Sequence, residues 1–349
     1  MGYPEGEPGA TRPAEQQPNP AAELTAGPGQ TPAPPVKDVV SSEPTGPSGP
    51  PARAAKTQPH RGTVRSIHYE LSYVVRNEER GPRGAMVLLH DLPGGAFAWH
   101  DALPALDGLG RAVYAFDMLG YGDSDRPWPS DTSIWGHADC LSYALKFMNL
   151  SEVVLVGVGL GGGVAQVLAT RLFREGLAKL VLINTYAYEY AFAPNWPLTE
   201  MAKRQDPEAP KHTPADQVLA DLRATLPNGS ARPKFLAGSK LDAYVDPWQG
   251  HLGEELLFQH VRLMLPLYIN SITPGMRKLE VPLQIIWGEQ DSVTPIELGR
   301  RLQRDVSGAR LDMVPNAGHL ILDDAPDAVG KLIADFAGQP AASDFAVAR

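Results

Sequence analysis

Five short segments hold the side chains with which this chain could do chemistry. They are His90-Asp91-Leu92-Pro93-Gly94-Gly95, Asp117-Met118-Leu119-Gly120-Tyr121-Gly122-Asp123-Ser124-Asp125, Gly157-Val158-Gly159-Leu160-Gly161-Gly162, Trp287-Gly288-Glu289-Gln290-Asp291 and Asn316-Ala317-Gly318-His319. An imidazole exchanges protons near neutral pH, and a carboxylate beside it can fix its tautomer and its charge. Taken singly, an Asp after a strand is a turn or capping residue, and a lone His is a surface or packed one. The glycine-rich segment has a chemistry of its own. Its spacing satisfies G-x-G-x-x-G, with which a strand-to-helix turn admits a pyrophosphate to a helix N-terminus.

What these segments do depends on the elements that carry them. Apolar runs bounded by turn residues alternate with stretches of three-and-four spacing, which predicts a mainly parallel sheet covered by helices. The strands fall at Val64–Val75 (an opening antiparallel pair), Ala85–Leu89, Ala112–Phe116, Val153–Gly157, Leu180–Asn184, Leu283–Trp287 and Arg310–Val314. Helices fit at Ser133–Met148, Leu160–Phe173, Pro295–Asp305 and Pro326–Phe336. The alternation stops between residues 185 and 280, a stretch too long for a loop, with helical patterns near Thr213–Leu226 and Glu254–Tyr268. Inserted after the sixth strand, it would cover the carboxyl ends of the strands, where open α/β sheets bind ligands. We read it as a helical cap. Its aromatics, Tyr186, Tyr188, Tyr190, Phe192, Trp196, Phe235, Tyr244 and Trp248, either line a pocket or pack the cap on itself. This organisation weighs against a dinucleotide site, because the unit sits mid-sheet and the acidic residue expected at the end of the next strand is Asn184.

Composition bounds the rest. Of 34 prolines, 14 fall in the first 60 residues, with almost nothing large and apolar between them, so residues 1–62 read as a disordered tail. That segment reads as a spacer with no identifiable partner. It lacks the pattern of a secretory signal and the Ser or Thr at position 6 that myristoylation wants, which leaves the cytoplasm as the default location. The core is expected at 63–184 and 281–338, with the cap at 185–280 and a short tail at 339–349. A net charge of −9 without basic clusters argues against nucleic acid and anionic membranes as partners. The single cysteine, Cys140, excludes an intrachain disulfide and reads as a core thiol. The apolar stretch Val153–Ala169 has five central glycines, and fits a buried strand turning into a packed helix better than a membrane span. No metal or cofactor is expected.

In their order and positions, the five segments resemble the landmarks of the α/β-hydrolase superfamily, over roughly residues 63–338. The resemblance is nearest to its capped branch of esterases, carbon–carbon bond hydrolases, haloalkane dehalogenases and epoxide hydrolases. It implies an eight-stranded, mainly parallel sheet flanked by helices. It also implies that Asp291 and His319 are the acid and base of a triad, with Asp291 accepting a hydrogen bond from one imidazole nitrogen while the other handles a proton. The backbone N–H groups of Leu92 and Leu160 would form an oxyanion hole. His90, Asp91 and Val158 would line the site.

The nucleophile turn departs from that pattern. Gly159 stands where the family has Ser, Asp or Cys, Val158 replaces a polar or aromatic neighbour, and the usual His-Gly of the oxyanion loop is His90-Asp91. Losing the nucleophile of a serine-hydrolase machine costs about a millionfold in turnover, so ordinary covalent ester hydrolysis is not expected. A carboxylate at Asp91 would also oppose an oxyanion. Two readings stay open. In one, His319 with Asp291 is a general base for non-covalent hydrolysis, lyase or isomerase chemistry on a small apolar carbonyl or ester compound. In the other, the chain is an inactive homologue that binds a small molecule or a protein partner under its cap.

Overall fold

The computed structural model describes residues 58–188, 215–263 and 270–339. Eight strands form one sheet: β1 (His60–Ser66), β2 (Tyr69–Arg76), β3 (Met86–Leu89), β4 (Val113–Phe116), β5 (Val153–Val158), β6 (Leu177–Ile183), β7 (Leu283–Gly288) and β8 (Arg310–Val314). Their order is β1-β2-β4-β3-β5-β6-β7-β8; β1 pairs antiparallel with β2, and β2 with β4, while every other pairing is parallel. This is the mixed, mostly parallel sheet that the alternation of the sequence predicts.

The inner strands are apolar throughout because both faces of the sheet are covered. Along β5, Val153 and Leu155 join the core on one face, while Val154, Val156 and Val158 join the core on the other. The first core is closed by α1 (Ile134–Phe147), α2 (Leu160–Val167) and a helix further along the chain that supplies Leu298 and Leu302. The second is closed by Trp99, Leu103 and Leu106 and by the last helix through Val329, Ile333 and Phe336. In α1, Ile134, His137, Ala138, Leu141, Ala144 and Leu145 are buried at three-and-four spacing, and the Ser133 hydroxyl caps its start by accepting from Gly136 N–H at 3.1 Å. Cys140 is buried on this helix, where burial pushes its thiol pKa up.

After β6 come the helices of the insertion: α3 (Ala215–Thr225), α4 (Ser239–Val245) and α5 (Gly250–Leu263). Then α6 (Ile296–Asp305) follows β7, and α7 (Pro326–Gly338) closes the fold. The sequence pattern anticipates α3 and α5 but not α4, which is only seven residues long and lies between Gly238 and Pro247. Its burial of Leu241, Tyr244 and Val245 shows that tertiary packing supports it. The structure also starts β1 at His60, so residues 60–62, assigned above to the tail, belong to the sheet. Arg61 explains this, since its guanidinium reaches Asp117 Oδ2 and Asp123 Oδ2 at 2.9 Å each. Residues 1–57 and 340–349, and with them most of both expected tails, lie outside the described residues, as do Tyr190, Phe192, Trp196 and the expected helix end at 264–268.

Topology decides which loops meet. Strand order reverses between β3 and β5, whose ends lie side by side with Leu89 opposite Gly157. The loops after those strands therefore converge at a topological switch point, the usual binding crevice of an open α/β sheet. Next along the same edge come the ends of β6, β7 and β8.

Candidate functional site

Each candidate residue follows one of these strand ends. Asp91 follows β3, Gly159 and Leu160 follow β5, Asn184 follows β6, Asp291 follows β7 and His319 follows β8. His319 Nδ1 lies 3.0 Å from Asp291 Oδ2, and both side chains are buried, at 0% and 1% exposure. Asp291 is held in turn by the N–H groups of Val293 and Thr294, at 2.8 and 2.9 Å to Oδ1, and by the Thr294 hydroxyl on Oδ2. Such a carboxylate orients the ring and favours its charged form.

The other ring nitrogen, His319 Nε2, lies 3.0 Å from Asp91 Oδ2. His319 thus stands between two carboxylates. Burial alone would lower its pKa, but the charges of Asp291 and Asp91 outweigh burial and hold it up to about 10. At neutral pH the ring carries its proton.

Gly159 has φ +50° and ψ −112°, a strained conformation that glycine tolerates and side chains rarely adopt. A side chain there would have to displace the Asp91 carboxylate. A Cβ at this position would lie 2.1 Å from the carboxyl carbon of Asp91 and 2.2 Å from both of its oxygens. The Asp91 carboxylate fills the volume that a side chain on residue 159 would take. Leu160 N–H, assigned above to an oxyanion hole, donates at 2.7 Å to Asp91 Oδ1. Leu92 sits in the same loop, before a cis peptide to Pro93, with its side chain buried.

His90 and Val158 are near this point but face elsewhere. His90 is fully buried, with Nδ1 donating to the Asp91 carbonyl at 2.9 Å and Nε2 accepting from Met118 N–H at 3.1 Å; burial lowers its pKa, consistent with this neutral tautomer. It braces the loop. Val158, the last residue of β5, packs into the core on the opposite face with Ile183, Ala317 and Val329.

Two positions matter more than their sequence suggests. Asn184, with φ +42°, donates from Nδ2 to the carbonyls of Gly318 and His319 at 2.9 and 3.1 Å, and accepts from Gly288 N–H at 2.9 Å. One buried amide therefore ties the loops of Asp291 and His319 together. Asp324 accepts from Gly318 N–H and Ala231 N–H at 2.8 Å each and from the Ser230 hydroxyl, which joins the His319 loop to the cap. Neither role has a local signature, because every partner except Gly318 of Asp324 is 93 to 135 residues away in the chain.

The cap aromatics divide. Tyr186 lies with its ring 6.1 Å from that of His319. Trp248 donates to the Pro93 carbonyl at 3.2 Å and Tyr244 to Asp323 at 2.7 Å, fixing the cap to the core. Tyr188 donates to Asp305 at 3.1 Å, whereas Phe235 is 71% exposed. Tyr121 and His137 of the core meet Trp248 and His260 of the cap; Trp248 stands edge-on to Tyr121, while the two histidine rings are stacked 5.6 Å apart and nearly parallel. Burial pushes His137 down to about 3 and His260 well below the usual histidine value. No cluster of ligating side chains suited to a metal is present among the described residues, and no described helix is long and apolar enough to cross a membrane.

Comparison with known proteins agrees with this architecture. A family model described as alpha/beta hydrolase fold matches residues 84–326. The haloalkane dehalogenase 2 of Mycobacterium bovis is 26% identical over 284 residues, spanning 76% of this chain and 90% of that protein. The human monoacylglycerol lipase ABHD6 is 24% identical over 280 residues, spanning 78% and 81% respectively. Among solved structures, an α/β-hydrolase fold protein from Burkholderia ambifaria superposes with a TM-score of 0.67 at 24% identity, covering 79% of this chain and 100% of that one. With its strand order, its helical insertion after β6 and a family match spanning most of its length, the chain belongs to the α/β-hydrolase fold family.

Proposed function

We propose that this protein is a hydrolase of small, largely apolar organic compounds, with His319 and Asp291 as its proton-handling pair. The observation that carries this reading is the buried Asp291–His319 pair at the switch-point crevice, aimed at a third group with access to solvent. Maintaining the fold does not call for an imidazolium between two carboxylates, and burying such a group is costly unless it is paired this closely. The relatives point the same way, since those with named activities include a lipase and a dehalogenase.

The charge state refines the general-base role drawn from the sequence. While both Asp91 and Asp291 face it, His319 keeps its proton and serves as a donor or as a positive charge. It becomes a base only once one carboxylate is neutralised. Carbonyl and ester compounds remain within the proposed range, as do lyase and isomerase outcomes of the same pair. No step of this reading needs a metal or a cofactor. The second reading, a non-catalytic binder of a small molecule or protein, is favoured by one observation: the Leu160 N–H is already taken by Asp91.

Turnover of a panel of activated esters, lactones, diketones, alkyl halides and epoxides tests the choice. The hydrolase reading expects at least one substrate whose turnover falls a thousandfold or more in His319→Ala, with an unchanged circular dichroism spectrum. Equal background rates in wild type and variant across the panel would leave the binding reading.

A further inference from the structure

We infer that Asp91 is the nucleophile of this site, a carboxylate delivered from the loop after β3 into the space left open by Gly159, and that its substrates are small apolar molecules with a leaving group or strained C–O bond on saturated carbon. This rests on the hydrolase reading above and deepens it. The nucleophile turn has lost a side chain and the neighbouring loop has gained one, in the same volume. The surroundings that would serve a residue at 159 now serve Asp91. Leu160 N–H binds its Oδ1 at 2.7 Å, and His319 Nε2 lies 3.0 Å from its Oδ2.

Access and rigidity favour the same assignment. Among the three ionisable side chains, Asp91 alone reaches solvent, at 12% exposure against 0% for His319 and 1% for Asp291. Apart from its ion pair with His319 Nε2, its Oδ2 has no hydrogen-bond partner among the described residues, which leaves a lone pair of that oxygen able to attack. Its main chain is pinned by His90 Nδ1 and Gly94 N–H on its carbonyl, and by Gly161 N–H on the carbonyl of His90. A carboxylate held this firmly is positioned for an in-line displacement.

The substrate class follows from the occupied donor. Leu160 N–H is bound to Asp91 itself, so a tetrahedral oxyanion on the substrate would find that donor taken and a carboxylate facing it. Displacement at saturated carbon needs no such donor. Asp91 Oδ2 forms a C–O bond as the bond from carbon to the leaving group breaks, and the leaving group departs with the electron pair. The product is an ester of Asp91. That step removes one of the two charges holding the proton on His319, which passes the proton to solvent or to an epoxide oxygen. Water then attacks the ester carbonyl carbon and gives a proton to the now neutral His319. The negative charge develops on Oδ1, where Leu160 N–H already donates. Collapse releases the alcohol, protonated by His319, and the acid proton left on Asp91 returns to His319. The sum is substrate plus water giving an alcohol, with the halide and a proton, or a diol from an epoxide.

The test is turnover of butyl bromide and styrene oxide by the full chain in water enriched in the heavy oxygen isotope. Repeated turnover should place heavy oxygen in the peptide that contains Asp91, while the first turnover gives alcohol with light oxygen. His319→Gln should accumulate a butyl ester on the same peptide, and Asp91→Asn should lose a thousandfold or more in turnover. Heavy oxygen in the first-turnover alcohol with none in the protein would overturn Asp91 as nucleophile and leave the hydrolase reading standing. So would turnover of p-nitrophenyl butyrate with no reaction of either probe. Absence of turnover on all three would overturn both.

Discussion

At Gly159 the backbone keeps a strained φ of +50° although no side chain is there to be aimed, and the reason is next to it. The carboxylate of Asp91 would touch any Cβ placed on that residue. The two departures from the family pattern, at 91 and 159, are therefore one spatial event. The simple repair Gly159→Ser should fail: its Cβ meets the Asp91 carboxylate, and the variant should be less stable than wild type and unlabelled by a fluorophosphonate probe. Gly159→Ser combined with Asp91→Gly clears the volume and frees Leu160 N–H, and should gain labelling dependent on His319. Labelling of the single variant at the rate of the double would contradict the mutual exclusion.

At the scale of elements, the site is a row of strand ends, and what holds the row is polar. Asn184 after β6 binds the loops after β7 and β8 at once. Asn184→Leu leaves a buried N–H and two buried carbonyls without that partner, which should cost about 2 to 4 kcal/mol in urea unfolding. Asn184→Asp keeps the acceptor for Gly288 N–H and should lose its donors to the His319 loop. Its effect on turnover should fall on kcat with KM nearly unchanged, as expected of a residue that positions His319 without touching substrate. A rise in KM alone would argue that Asn184 contacts the substrate.

At the scale of the molecule, the histidines make stability depend on pH from both sides. His319 is raised to about 10, so its contribution is fully present below the unfolded value near 6.5 and is lost as pH rises through about 10. His137, His260 and His90 are lowered by burial, so the folded protein resists their protonation. Their contribution is present above about 6.5 and is lost as pH falls, down to about 3 for His137. Thermal melts across pH should therefore give a dome with its top near 6.5. His319→Gln should flatten the alkaline arm, and His137→Phe with His260→Phe the acid arm. An unchanged alkaline arm in His319→Gln would mean that His319 is not held protonated in the folded protein.

Much of this was legible in the chain because periodicity is local. Short β-branched runs such as Val153-Val154-Leu155-Val156 bounded by turn residues read as buried strands, the three-and-four pattern from Ile134 to Leu145 reads as a helix facing a core, and five landmarks in order sufficed for the fold. The absence of a side chain at Gly159 was equally plain. Helix α4 was not, since seven residues between Gly238 and Pro247 acquire their helix from packing, and neither was the start of β1, which Arg61 secures through carboxylates on a distant loop. In the sequence, Asp91 reads as a charge that would oppose catalysis, and Asn184 as a missing acid. Only the tertiary structure sets Asp91 in the space over Gly159 and within reach of His319, and Asn184 between two loops. The reason is physical: a side chain's chemistry is set by its neighbours within a few ångströms, and here those neighbours arrive from strands that adjoin only after the sheet has formed.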